Sequence, residues 1–331
     1  MKTNFDIDFI VPWVDGSDPQ WIEEFNKYCP EDKRIIDVRE ERYRDDGLLQ
    51  YWFRGVEKFA PWVRKVHFVT CGQKPEWLNL NAPKLHWVKH EDYIPREYLP
   101  VFSSHPIELM MHKIPDLAEH FVYFNDDFFL TAPLKETFFF KNGLPCDAAI
   151  MNALSMHSIG HIVLNNLWII NTQFDKRSVI KKQPFKWFNL HYGVLQLRSL
   201  FLLPWPRFTG FFDFHLPAPF LKSTLEEVWA NYENPLTNTV KNRFRSLSDV
   251  NQWLFRYWQL CSGRFSPCNM TRERKYFSLD EGISEITDSI AKGKYKEICI
   301  NDAECVDFDA RMKQIKKAFK ILLPEKSSFE I

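Results

Sequence analysis

Glycine is scarce, at 11 of 331 residues, and tracts rich in Ser, Gln or Pro are absent. Low-complexity linkers are thereby excluded, and no internal repeat is visible. Net charge is missing too, because 43 basic residues balance 43 acidic ones. A general nucleic-acid binder carries an excess of Lys and Arg, so nucleic acid is not expected as a partner, and any charged ligand must meet a local cluster. Seven cysteines (Cys29, Cys71, Cys146, Cys261, Cys268, Cys299 and Cys305) form an odd set without CxxC spacing. That fits neither a disulfide framework nor a zinc ribbon and leaves buried, reduced thiols. Long apolar runs are also lacking. The opening MKTNFDIDFIVPWVDG is broken by Asp6 and Asp8 and reads as a strand rather than a signal peptide. The run VLQLRSLFLLPWP is interrupted by Arg198 and ends at Pro204 and Pro206, too short to cross a bilayer. The expectation is a soluble, cytoplasmic protein, with peripheral contact at the inner membrane face left open.

What is present is a chain 45% hydrophobic and 16% aromatic, enough to bury one large core or two modest ones. Phe5, Ile7, Phe9 and Val11 alternate with other residues and predict a first strand entering the turn PWVDGSDP. Leu49, Trp52, Phe53 and Val56 at helical spacing predict a helix after RDDG, stopping at Ala60-Pro61. KVHFVT and KLHWVK read as strands, Pro106 opens a helix over IELMMHKI, and FVYF is a strand that delivers Asn125, Asp126 and Asp127 at its end. Strands alternating with helices imply an α/β fold whose mostly parallel sheet is covered on both faces, with ligands beyond the carboxyl ends of the strands. WVDG, FNDD and, much later, EICIND all present Asp there.

The second half differs. From Lys176 to Lys222 eight basic residues face one acid, Asp213, among many aromatics, which predicts a basic, aromatic surface. Two helices follow, TLEEVWANY with a capping box of Ser223 and Glu226, and DVNQWLFRYWQL with Ser246 and Asp249 in the same arrangement and Gly263 at its end. Arg243 and Arg245 precede the second helix and suit a bound anion.

Adjacent carboxylates at Asp126 and Asp127 admit two readings: hard oxygen ligands for Mg²⁺ or Mn²⁺ shared with substrate phosphates, or caps of a surface turn. Glu108 and His112 lie four apart and share a helical face, with Lys113 beside them, as a polarised imidazole or as a plain surface pair. HExxH is absent. His105 reads as a structural hydrogen bonder, and His215 in DFHLPAP is an imidazole presented by a stiff loop. Arg54 lies opposite the apolar stripe of its helix, where a solvated pair with Glu57 is the simpler reading.

Taken together the segments resemble the Stealth family of sugar-phosphate transferases. The likeness is carried by IDFIVPWVDGSDPQW; by RYRDDGLLQYWFRGVEKFAPWVRKVHFVTCGQKPEWL through FSSHPIELMMHKIPDLAEHFVYFNDDFFL; by HLPAPFLKSTLEEVW with FRSLSDVNQWLFRYWQL; and by ICIND. The resemblance implies a GT-A-like nucleotide-sugar-binding sheet with an added, mostly helical C-terminal part. It implies transfer of a hexose-1-phosphate from a nucleotide-diphosphate sugar to a hydroxyl of a glycan or lipid-linked glycan acceptor in capsular or cell-surface polysaccharide synthesis. By the same resemblance Trp13, Val14, Asp15 and Gly16 surround the nucleotide; Asp126 and Asp127, with Asn301 and Asp302, hold the metal and diphosphate; His215 is the general base; and Arg54, Lys113 and Arg245 neutralise phosphate, with Glu108 and His112 completing the site. Leu48, Gln50 and Cys71 depart from the family's pattern, which often has an acidic, a basic and an Asp residue there. A metal-dependent glycosyltransferase releasing a nucleoside diphosphate is the alternative. The expected division is a catalytic core from 1–175 with 295–310, a basic, aromatic and helical region at 176–294 on the acceptor side, and a C-terminal helix and tail at 311–331.

Overall fold

A computed structural model describes residues 4–31, 43–155, 159–303, 305 and 307–331. The central sheet uses β1 (Ile7–Pro12), β2 (Val66–Thr70), β3 (Leu85–Lys89) and β4 (His120–Tyr123). Beside them run β5 (Phe128–Leu130), β6 (Phe140–Lys141), β7 (Leu144–Asp147), β8 (Ala218–Leu221), β9 (Ser266–Pro267), β10 (Arg274–Ser278) and β11 (Glu297–Asn301). The five-stranded sheet has the order β3-β2-β1-β4-β8. Its first four strands are mutually parallel, with Phe9 opposite Val66 and Val122, and β8 closes the edge antiparallel. β10 and β11 pair in parallel, and β11 pairs antiparallel with β5. β8 and β10 thus come from the stretch expected on the acceptor side, yet pair within the sheets that carry the cleft.

The helices are α1 (Pro19–Tyr28), α2 (Leu49–Phe59), α3 (Ser104–Leu109), α4 (Gly160–Gln173), α5 (Lys176–Lys182), α6 (Pro184–Trp187), α7 (Gln196–Phe201), α8 (Lys222–Val240), α9 (Trp253–Ser262), α10 (Ile283–Ala291) and α11 (Phe308–Leu322). Period-two alternation along the strands divides the core in two. Phe9, Val11, Phe68 and Val122 pack with Trp52, Phe53 and Val56 of α2 on one face. Ile10, Val69, Phe121 and Tyr123 pack with Leu254, Trp258 and their neighbours on the other. Gly55 lets α2 press on β5, because a Cβ there would stand 2.7 Å from the Leu130 carbonyl oxygen.

Several local expectations are corrected. The helix over IELMMHKI ends at Leu109 and tightens into a 3₁₀ turn at Met111–Lys113, so Glu108 and His112 lose their common face. Ser223 caps no helix: α8 starts at Lys222, and the Ser223 hydroxyl donates to Glu119. Ser246 and Asp249 lie well before the start of α9 at Trp253, and Asp249 instead accepts from the Ser246 amide within the loop. Gly263 does end α9, in the left-handed conformation with φ 77°. The expected basic surface is partly inverted, because Lys176 is buried and donates to the Leu202 and Trp205 carbonyls, while Lys186 donates to those of Gly263 and Phe265. No helix among the described residues is long and apolar enough to cross a membrane.

Candidate active site

Beyond the carboxyl ends of β1 and β4 opens a cleft of about 560 Å³. Its wall includes Trp13 and Val14 after β1, Asn125, Asp126 and Asp127 after β4, and Asn301 and Asp302 at the end of β11. Of the three Asp-bearing strand ends, two bring their aspartates into the cleft, β11 from a separate sheet, while the end of β1 contributes Trp13 and Val14 but not Asp15. Asp15 and Gly16 shape the rim without lining it. The Asp15 carboxylate accepts from the Ser17 amide and hydroxyl, and Gly16 is pressed on Tyr43, whose carbonyl oxygen a Cβ would approach to 2.6 Å.

The floor of the cleft is acidic. Asp126 is reached by solvent, yet protein atoms surround its carboxyl. That burial, followed by the charges of Asp127 and Asp46, pushes its pKa up to about 8. Asp46, brought in by the RYRDDG segment, is raised to about 7 by burial and by Asp302, against the pull of Arg44. One oxygen of Asp127, Oδ1, and one of Asp46, also Oδ1, are buried without a hydrogen-bond partner. Burial and like charge thus keep protons on Asp126 and Asp46, and a cation beside them would relieve the repulsion.

His215 stands over this floor. Its Nε2 is 3.7 Å from Asp127 Oδ2, and its ring meets Phe128 and Tyr276 edge-on. Its φ of 49° is a left-handed conformation that a non-glycine residue holds only when its surroundings impose it. Two residues upstream the loop is anchored. Asp213 is gripped by Arg256 Nη1 at 2.6 Å and by the Tyr257 hydroxyl at 2.6 Å, and Arg256 is itself fixed by a two-point pair with Asp147 at 2.8 and 2.9 Å. Burial lowers the His215 pKa, but Asp127, Asp213 and Asn301 outweigh it and leave the pKa raised.

Asp127, His215 and Cys299 also place ligand atoms within 4.8 Å of one another. Cys299 is a poor partner for a hard ion. Burial and Asp127 push its thiol well above the usual range, and its Sγ donates to Asp127 Oδ2 at 3.3 Å. Hard oxygen donors are present in the cleft at Asp126, Asp127 and Asp46, but among the described residues their oxygens do not all come within 4.8 Å of one another.

Other expected residues divide. Glu108 and Arg245 line the cleft. Glu108 accepts from the Tyr123 hydroxyl and the Gln252 amide, and Arg245 lies 3.5 Å from the Ser104 hydroxyl. His105 lines it as well, with Nδ1 2.8 Å from buried Asp249. Arg54, His112 and Lys113 do not line it. Arg54 is turned to the C-terminal tail, paired at two points with Glu330 at 2.8 and 2.7 Å, so its carboxylate is Glu330 rather than Glu57. His112 packs against Trp229, and burial drives its pKa down to about 4. Sequence reasoning missed Arg44 and Asp46, which read only as the approach to a helix. Arg44 reaches Asp302 at 2.6 Å while lying 3.5 Å over the Phe308 ring. It also missed Arg256, hidden in an apolar helical run.

Family models for Stealth protein conserved region 1 and conserved region 2 match residues 5–29 and 42–147. A capsular polysaccharide phosphotransferase, WcwK, of Streptococcus pneumoniae is 42% identical over 100% of this chain and 99% of its own. An exopolysaccharide phosphotransferase, cps2G, of Lactiplantibacillus plantarum is 42% identical over 98% and 96%. The chain belongs to the Stealth family. Among solved structures, the bifunctional glycosyltransferase WbbM aligns over 96% of this chain and 52% of its own, with 10% identity and a TM-score of 0.40. The matched segments of this Stealth protein bring Trp13, Asp46, Asp126 and Asp127 to the cleft, whereas His215, Arg245 and Asp302 lie outside both matched regions.

Proposed function

We propose that this Stealth protein transfers a sugar-1-phosphate from a nucleotide-diphosphate sugar to a hydroxyl of a glycan or lipid-linked glycan acceptor, in polysaccharide synthesis at the cytoplasmic face of the membrane. The observation that carries the reading is that Asp46, Asp126, Asp127 and Asp302 line one cleft with His215, whose Nε2 is 3.7 Å from Asp127 Oδ2. Phosphoryl-group transfer is mainly a matter of positioning and charge neutralisation, and this cleft has groups for both.

His215 Nε2 accepts the proton of the acceptor hydroxyl as the oxygen attacks the sugar-bearing phosphorus. The new P–O bond forms as the bond to the bridging oxygen breaks, and a nucleoside monophosphate leaves. Asp127 orients the imidazole and stabilises its charged form. The Asp147–Arg256–Asp213 chain is a positioning device that holds the His215 loop in its left-handed turn. Asp126, Asp127 and Asp46, with Asn301 and Asp302 beside them, would hold Mg²⁺ or Mn²⁺, which supplies positive charge to the diphosphate. Arg245 and Arg44 add charge from the walls.

Incubation with a panel of nucleotide sugars, followed by mass analysis of the released nucleotide, tests the proposal. A nucleoside monophosphate is expected. Release of a diphosphate instead would make the protein an ordinary glycosyltransferase.

A further inference from the structure

Between Ala148 and Phe212 the sequence has one acid, Asp175, and seven Lys or Arg residues, although the whole chain is neutral. That single carboxylate caps α5 by accepting from the Ser178 amide. Two of the cations, Lys176 and Lys186, turn inward onto carbonyls and clamp the segment to the body. Arg177, Lys181 and Lys182 of α5 remain exposed on the outside. Next to them, apolar side chains stand in solvent: Phe185 is 85% exposed, Leu190 100%, Val194 82% and Phe201 75%, with Trp205 half-exposed. Val194 and Phe201 are two helical turns apart, so α7 and the turn before it present one apolar edge. Exposed large apolar groups gathered in one segment mark an interaction surface.

Charge decides the occupant. A second copy docking through the same patch would bring like-charged segments together. Apolar side chains flanked by lysines, with a tryptophan at the margin, complement the interface of an anionic bilayer, where rings and aliphatic chains enter the acyl boundary and ammonium groups meet lipid phosphate. We propose that residues 185–205 form a membrane-docking element for anionic phospholipid. The element runs on through Phe208 and Phe211, both buried, to His215 at the cleft, so docking would hold the reactive imidazole near the bilayer. This deepens the proposed function by naming what brings the site to a lipid-linked acceptor, but vesicle binding needs neither donor nor acceptor, so either idea can fail alone.

The test is flotation of the full chain with phosphatidylcholine vesicles, with and without phosphatidylglycerol. Binding is expected only when phosphatidylglycerol is present, and weaker at high salt. F185S together with F201S should cut partitioning roughly tenfold or more. K181E together with K182E should remove the preference for anionic vesicles, by about tenfold. Both double variants should melt like the unaltered protein, since these side chains pack against nothing inside. Failure of the unaltered chain to float, or flotation unchanged in the phenylalanine variant, overturns the proposal. A dimer in solution that F185S with F201S dissociates would assign the surface to self-association instead.

Discussion

Asp8 and Asp126 are aspartates on adjacent parallel strands of one sheet, or at their ends, and their environments are opposite. Asp8 lies on β1 near its amino end, fully buried. It accepts from Arg64 at 2.9 and 2.5 Å, from the Lys65 amide at 3.2 Å, from the Ala118 amide at 2.8 Å, and pairs with His67 Nε2 at 3.0 Å. Burial opposes its charge, but the hydrogen bonds from His67 and Arg64 prevail and lower its pKa. Asp126, past the carboxyl end of β4, has acids for neighbours and is pushed up to about 8. A buried acid that serves the fold brings its donors with it, whereas the acids of the cleft are left for something that arrives. The parallel arrangement of the strands sets the two at opposite ends of the sheet.

The sharpest way to break that contrast is to neutralise each end. Asp127→Asn or Asp126→Asn should reduce turnover by about 10³ or more if these carboxylates carry charge stabilisation, yet leave melting nearly unchanged or raised, because Asp127 meets only the Cys299 thiol and the His215 ring and neither acid is held by an Arg or Lys. Magnesium should raise the melting temperature of the unaltered protein and not of Asp127→Asn. A cleft variant that unfolds as readily as a core variant, or an unaltered protein indifferent to magnesium in its melting, would make the two ends alike.

His215→Ala tests the other partner of Asp127. A loss of about 10²–10⁴ in rate is expected of a general base, and Asp213→Asn should cost less while widening the pH profile through a loosened loop. A loss below tenfold for His215→Ala at every pH would move the base elsewhere.

The contrast also explains how much the sequence showed. The strands and α2 were legible because periods of 2 and 3.6 survive wherever a face is buried. The ends of β1 and β4 were legible together, since a parallel sheet delivers them to one edge, whereas the end of β11 joins them from a separate sheet. Asp8 was not, because alternation in FDIDFIV reads as a solvent face, and its partner Arg64 is 56 residues away. Arg54 was misread for a similar reason: Glu330, its partner, lies 276 residues on, and only the return of the tail beside Leu78 joins them. The exposure of Phe185 and Phe201 agrees with the basic, aromatic surface expected between Lys176 and Lys222, whereas the inward turn of Lys176 and Lys186 was hidden, because their carbonyl partners are brought in only by the packing.

At the structural end, Asp8→Asn should destabilise the fold by about 3 kcal/mol, because it strands the Arg64 guanidinium among groups built for a carboxylate. Turnover measured below the melting transition should stay within a few-fold of the original. Chemical denaturation of the variant beside Asp127→Asn gives the comparison directly: a large drop in midpoint for the first and none for the second.

The smallest effect concerns protons away from both acids. His90 and His112 are buried, and burial drives each pKa down to about 4. A histidine whose folded pKa lies below its unfolded value near 6.5 binds its proton more readily when unfolded, so its contribution to stability is complete above the unfolded value and is lost as pH falls toward 4. Stability should therefore decline between pH 6.5 and pH 4, by about 1–2 kcal/mol per histidine at pH 5. His112→Phe keeps an aromatic against Trp229 and should flatten that slope without touching the acid limb below pH 4, where Asp8 loses its charge and its hold on Arg64. NMR titration of His112 gives the direct reading; a value near 6.5 would mean that its ring is open to water and free to take part in proton transfer.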